Sequence, residues 1–151
     1  MKRLRIYVDT SVIGGCLDPE FADESKALVE MARRGEATLL VSDLLLEELA
    51  RAPLAVQQLL GSLPADATEF VAASSESLAL SKAYLAAGVV GASSDADAHH
   101  VALATVAQAD MIVSWNFKHI VHFDKIRGYN GINLVHGYRE IEIHSPPEVV
   151  P

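Results

Sequence analysis

The chain has 151 residues, enough for one compact domain and too few for two of ordinary size. Half of them are hydrophobic and 21% are charged, a globular balance that excludes a disordered chain, and every apolar run is broken by charge or glycine before the ~18 residues of a membrane span. The formal net charge of −8 speaks against nucleic-acid binding through an overall basic surface, but the basic residues are bunched, with Lys118, His119, His122, Lys125 and Arg127 in one short stretch.

The first residues, Met1-Lys2-Arg3-Leu4-Arg5-Ile6, are basic and then apolar but lack the long apolar stretch of a signal peptide. Cys16 is the only cysteine, so no internal disulfide and no cysteine-based zinc site is expected. A small buried thiol in a reducing cytoplasm fits. Leu4 to Val8 reads as a buried strand that ends at Asp9. Ser25 to Arg34 has helical spacing (Ala27, Leu28, Met31, Ala32), with Gly35 as its stop. Thr38 to Val41 is a second strand, and Ser42-Asp43 caps a helix over Leu44 to Arg51. Pro53 starts another helix that Gly61 ends. Glu69-Phe70-Val71 forms a short strand, Ser75 to Ala87 an Ala- and Leu-rich helix ended by Gly88, and Ser94 to Gln108 a further Ala-rich helix. Met111 to Ser114 is a buried strand, Ile132 to Val135 a last one, and Ser145-Pro146-Pro147 opens a loose tail. One domain over residues 1–145 with a tail over 146–151 follows.

Strands alternating with helices imply βαβ units and a parallel sheet covered on both faces, the α/β class. Sites in such sheets lie beyond the carboxyl ends of the strands. Asp9, Ser42 and Ser114-Trp115-Asn116 all fall there. Asp9 follows a buried strand, as either a helix cap or a site acid. Ser42-Asp43-Leu44-Leu45-Leu46-Glu47-Glu48-Leu49 adds acids in the next helix, and Asp95-Ala96-Asp97-Ala98-His99-His100 adds two at a helix start, where the helix dipole favours carboxylates in any case. Helical phase separates Glu47 from Glu48. At ~100° per residue, Leu44, Leu45, Leu46 and Leu49 define one face. Glu47 lies opposite it, toward solvent, and Glu48 lies at its border. By the same geometry Asp95 points away from Asp97 and serves as a cap, and the adjacent His99 and His100 do not share a metal and take structural or solvent roles.

In order and in residues, this pattern resembles the PIN-domain nucleases, particularly the toxin components of bacterial and archaeal toxin–antitoxin pairs (VapC-like). The matching segments are Val8-Asp9-Thr10-Ser11, the Ser42 to Glu48-Leu49 run, Asp97-Ala98 with its helix, and Ser114-Trp115-Asn116-Phe117-Lys118-His119. The resemblance covers nearly the whole chain. It implies a three-layer α/β/α sandwich around a central, mostly parallel sheet. It further implies that Asp9, Glu48 and Asp97 hold Mg²⁺ or Mn²⁺ and cleave RNA, with a cognate antitoxin protein as partner, a homodimer as assembly and no membrane attachment. Thr10, Ser11, Ser114 and Asn116 then surround the acids. Asn116 departs from the family pattern, because many members carry a fourth acid there. That departure predicts one bound metal and slow cleavage.

Carboxylates suit this chemistry because hard divalent cations take oxygen ligands, and the ion both activates water and offsets phosphate charge. Lys118, Lys125 and Arg127 form either a phosphate-contacting rim or a solvated loop, and Trp115 either packs or stacks on a base. Two other readings compete with the nuclease: a PIN-fold protein that binds RNA or a partner without effective cleavage, and a phosphotransfer enzyme of the haloacid-dehalogenase kind with Asp9 as nucleophile. The second of these wants another Asp two residues on, where this chain has Ser11.

Overall fold

The computed structural model describes residues 2–151, which form a five-stranded sheet between two layers of helix. In chain order the elements are β1 (Leu4–Val8), α1 (Thr10–Gly15), α2 (Ala22–Arg33), β2 (Ala37–Ser42), α3 (Asp43–Leu49), α4 (Leu54–Gly61), β3 (Thr68–Val71), α5 (Ser75–Ala86), α6 (Asp95–Val106), β4 (Met111–Val113), α7 (Phe123–Val135), β5 (Glu142–His144) and α8 (Pro146–Val149). The strand order is β3-β2-β1-β4-β5 and all four pairings are parallel. The expected three-layer α/β/α sandwich is therefore the observed one. Ile6 pairs with Leu39 on one side and with Met111 on the other, so β1 is the central strand.

Period-two alternation assigns each strand residue to a layer. Ile6, Val8, Leu39, Val41 and Val113 face one core, with Val12 and Ile13 of α1, Leu28 of α2 and Leu45 of α3. Tyr7, Leu40, Ile112 and Ile143 face the other, with Leu80 and Tyr84 of α5, Val101 and Ala102 of α6 and Tyr129 of α7. Gly35 and Gly88 follow α2 and α5 at φ +77° and +75°, left-handed conformations that stop a helix at little cost to glycine.

Three expectations need correction. Ile132 to Val135 is the end of α7, not a strand. Ile126, Tyr129 and Ile132 recur at helical spacing and pack on the core, whereas Leu134 and Val135 are exposed. Gly128 and Gly131 obscured the helix. Gly128 is small for a reason, since a Cβ there would lie 2.9 Å from Val89 Cγ1. The last strand is instead β5, too short, and with too few apolar residues, to show a pattern. Nor is the segment from Ser145 a loose tail: the Glu148 carboxylate accepts from the Ser145 N–H (3.1 Å) and hydroxyl (2.9 Å), which fixes α8, and Val149 and Val150 pack against the core. Among the described residues, no helix is long and apolar enough to cross a membrane.

Candidate active site

Counting outward from β1, the chain builds β2 and β3 on one side and then returns to place β4 on the other. The carboxyl ends of β1 and β4 are thus the switch point of the sheet, where a crevice opens in this class of fold. Asp9 leaves β1 there and Ser114 leaves β4.

Asp9 stands at the head of α1 but its side chain makes no capping bond. It is 5% exposed; Oδ1 accepts the Ser11 hydroxyl and Oδ2 the Ser114 hydroxyl, both at 2.6 Å. The same two hydroxyl oxygens accept the backbone N–H groups of Trp115 and Asn116 at 2.9 Å, which stitches the end of β4 to Asp9. Burial holds the Asp9 carboxyl above the usual carboxylate range, against the opposing pull of His100 and of the two serines.

On α3, Glu48 is half-buried and Glu47 is exposed. Glu48 Oε1 accepts from Thr10 Oγ1 at 3.1 Å and lies 2.5 Å from His100 Nε2. His100, on α6, is 2% exposed, and its Nδ1 is 2.6 Å from the Tyr7 hydroxyl, itself 2.7 Å from Ser42 Oγ. Nε2 meets the Glu48 carboxylate, Nδ1 shares a hydrogen bond with the Tyr7 hydroxyl, and that hydroxyl shares another with Ser42. Ser42 also accepts the Leu45 N–H as the cap of α3. The chain of bonds leaves Glu48 and returns to the first turn of its own helix. Burial alone raises the Glu48 pKa, but the bond to His100, its charge and the Thr10 hydroxyl outweigh it, and the net shift is downward.

Asp97 lies in the first turn of α6, half-buried. Burial raises its pKa; His119 and His100 oppose this, the charge on Asp9 adds to it, and the Asn116 side chain hydrogen-bonds the carboxylate. Asn116 Oδ1 is occupied elsewhere, accepting the N–H groups of His119 (2.9 Å) and Lys118 (3.2 Å). It is the amide side of Asn116 that faces the acid. Asp95 is exposed and accepts only the Ala96 N–H at 2.9 Å. Trp115 packs against Phe21 (4.5 Å between ring centroids) and donates to Ser25 Oγ at 2.8 Å. Lys118 and Arg127 are exposed, and Lys125 is half-buried on α7.

His100 is the residue that sequence reasoning missed. Its buried position fits the structural role expected for it; its bond to Glu48 was not expected. The informative spacing was to Asp97, three residues earlier on the same face of α6.

Among the described residues, no three His, Cys, Asp or Glu side chains stand ready-made as a metal-holding group. The donor chemistry nonetheless fits a hard divalent cation. Asp9, Glu48 and Asp97 offer oxygen only, and two of them are held above their usual pKa. Among the described residues, neither Asp9 nor Asp97 forms an ion pair with Lys or Arg.

Sequence comparison matches residues 5–118 to the family described as PIN domain. No curated protein matches the chain. Among solved structures, the chain is similar to one in the crystal structure of VapBC2 from Rickettsia felis bound to a DNA fragment from their promoter. The TM-score is 0.61 at 14% identity, covering 94% of this chain and 98% of that one, a likeness of fold.

Proposed function

The chain belongs to the PIN-domain family, and from that premise we propose that it is a metal-dependent endoribonuclease, the toxin of a toxin–antitoxin pair. Supporting the proposal are Asp9 at the end of β1, Glu48 bonded to Thr10 and His100, and Asp97 within reach of the charges of Asp9 and His100, with Asp9 and Asp97 raised in pKa and, among the described residues, neither ion-paired to Lys or Arg. These three carboxylates hold Mg²⁺ or Mn²⁺. When bound, such an ion acidifies water and stabilises charge on the phosphate under attack. The chain's own residues do the remaining work. Ser11 and Ser114 orient Asp9, Thr10 and His100 keep Glu48 ionised and aimed, and Lys118, Lys125 and Arg127 contact the RNA backbone. The likeness to a VapBC2 chain supports a cognate antitoxin as partner. A cytoplasmic homodimer completes the reading.

The reading is tested by Mn²⁺ titration calorimetry and an RNA cleavage assay. Asp9→Asn, Glu48→Gln and Asp97→Asn should each abolish metal binding and cleavage while circular dichroism stays that of the parent, and Glu47→Gln should behave as the parent. Full metal affinity in Asp97→Asn sinks the assignment. A second reading, a PIN-fold protein that binds RNA or a partner but cleaves poorly, is favoured by Asn116, which turns an amide toward Asp97 in place of a fourth acid. Metal and RNA binding without cleavage by the parent would select it. The phosphotransfer reading is disfavoured, because both Asp9 oxygens are covered by serine hydroxyls.

A further inference from the structure

We infer that Phe117 and Phe123 form a base-stacking rim beside the acidic edge and take unpaired nucleobases of the RNA. The inference rests on the nuclease reading and adds to it how the strand is held. Phe117 is 51% exposed and Phe123 71% exposed. Single exposed apolar residues are ordinary and need no explanation. These two differ in where they stand and in what surrounds them.

Phe117 follows Asn116 at the end of β4, its ring edge-to-face with Trp115 at 6.2 Å. Phe123 is the first residue of α7, which starts from the same edge of the sheet. The segment between them is firmly seated. Ile120 is fully buried, Tyr129 donates to the His119 carbonyl at 2.8 Å, and the Val121 N–H bonds the Asn116 carbonyl at 2.8 Å. It also borders the acids, because the Asp97 carboxyl feels His119 and the Tyr129 phenol feels Asp97. The two rings therefore project from fixed backbone and pay little ordering entropy on binding.

Basic residues interleave with them, the cations Lys118, Lys125 and Arg127 and the imidazoles of His119 and His122, against the single acid Asp124. The Arg127 guanidinium lies over one face of Phe123, 5.4 Å from the centroid, and most of that residue stays open to solvent. A purely apolar contact would leave these basic residues without a counter-charge, which the phosphates of a strand supply. Flat rings set among cations match the alternation of base and phosphate along a single strand, and stacking accepts any base because each has a π-face. A duplex keeps its bases stacked inside and offers the rings nothing.

The test uses fluorescence anisotropy in EDTA, with a short labelled oligoribonucleotide of mixed, unstructured sequence. Its duplex and an abasic strand of equal length serve as comparisons. Phe117→Ala and Phe123→Ala should each weaken binding of the single strand about tenfold, and Phe123→Trp should keep it. The duplex and the abasic strand should bind the parent as weakly as the intact strand binds the double Ala variant. Equal affinity of the parent for intact and abasic strands overturns the inference, as does parent-like affinity in the double variant. Loss of self-association in that variant with RNA affinity unchanged also overturns it and makes the rings a protein interface. Cleavage with Mn²⁺ is measured separately. Ring-dependent binding without cleavage by the parent removes the nuclease reading and leaves the rim, whereas cleavage with ring-independent binding removes the rim alone.

Discussion

His100 and Thr10 meet on one oxygen of Glu48 and leave the other uncommitted, whereas two serines engage both oxygens of Asp9. His100→Ala removes one of the two partners of the buried Tyr7 hydroxyl and leaves Glu48 with Thr10 alone. We expect a stability loss of about 1–3 kcal/mol by urea denaturation and a weaker Mn²⁺ affinity by calorimetry; parent-like metal affinity would show that Glu48 needs no such support. Asn116 behaves differently from an ordinary amide ligand, because its carbonyl is spent on two backbone N–H groups. An Asp at this position keeps those two acceptor contacts but replaces the amide donor facing Asp97 with a second negative charge. Asn116→Asp should therefore lower the melting temperature of the metal-free protein, recover it on adding Mn²⁺, and raise metal stoichiometry or cleavage rate. A variant that melts with the parent in EDTA and binds the same number of ions would remove Asn116 as the limit on the site.

At the scale of elements, α8 provides a pH-dependent clasp. His144, at the end of β5, lies 2.9 Å from Glu148 and 3.1 Å from Glu142, and its carbonyl accepts the Ser114 N–H at 3.0 Å. Burial lowers the His144 pKa, but the two carboxylates more than offset it and the net shift is above the ordinary 6.5. The bond to His144 holds Glu148 below the ordinary 4.5. For His144 the stabilisation is complete below 6.5 and fades as pH rises through its raised value. For Glu148 it is complete above 4.5 and fades as pH falls through its lowered value. The clasp should thus be strongest between about pH 5 and 6 and contribute under about 1 kcal/mol, since both carboxylates are at least half exposed. Thermal melts of the parent and of His144→Gln across pH should differ most in that window; a constant difference would mean that the clasp does not titrate. The Ser145 to Glu148 capping pattern was present in the sequence but was read through its two prolines. The earlier strands and helices were legible because their apolar periods are long and their stops are glycines. β5 was not, because it shows only one buried apolar residue, and α7 was not, because Gly128 and Gly131 mimic a loop. The positions of Asp9 and Glu48 were legible from a strand end and from helical phase, whereas Asp97 was singled out by the family resemblance. The tie between Glu48 and His100 was not legible, because 52 residues separate them and only the packing of α6 on the sheet joins them.

For the whole molecule, charge has to be considered by place rather than by sum. The net charge is −8, yet the segment after β4 carries a run of cations beside the acids. Changing Lys118, Lys125 and Arg127 together to Ala should weaken RNA binding and make the slope of log K against log salt shallower by about 2, at roughly 0.7 per phosphate contact on a single strand. An unchanged slope would return the stretch to a solvated loop. The strand order has a consequence in time as well as in space. Asp9 is among the first residues to be synthesised, but Ser114, which holds one of its oxygens, comes 105 residues later. β4 can dock beside β1 only after both α/β crossovers on the other side are complete. At ~5–20 residues per second of synthesis, a nascent chain spends several seconds with its first acid made and its switch point still open. A ribosome-bound fragment ending before Met111 therefore carries Asp9, Glu48 and Asp97 without the strand that sets the crevice, so the assembled edge is a property of the nearly finished polypeptide alone.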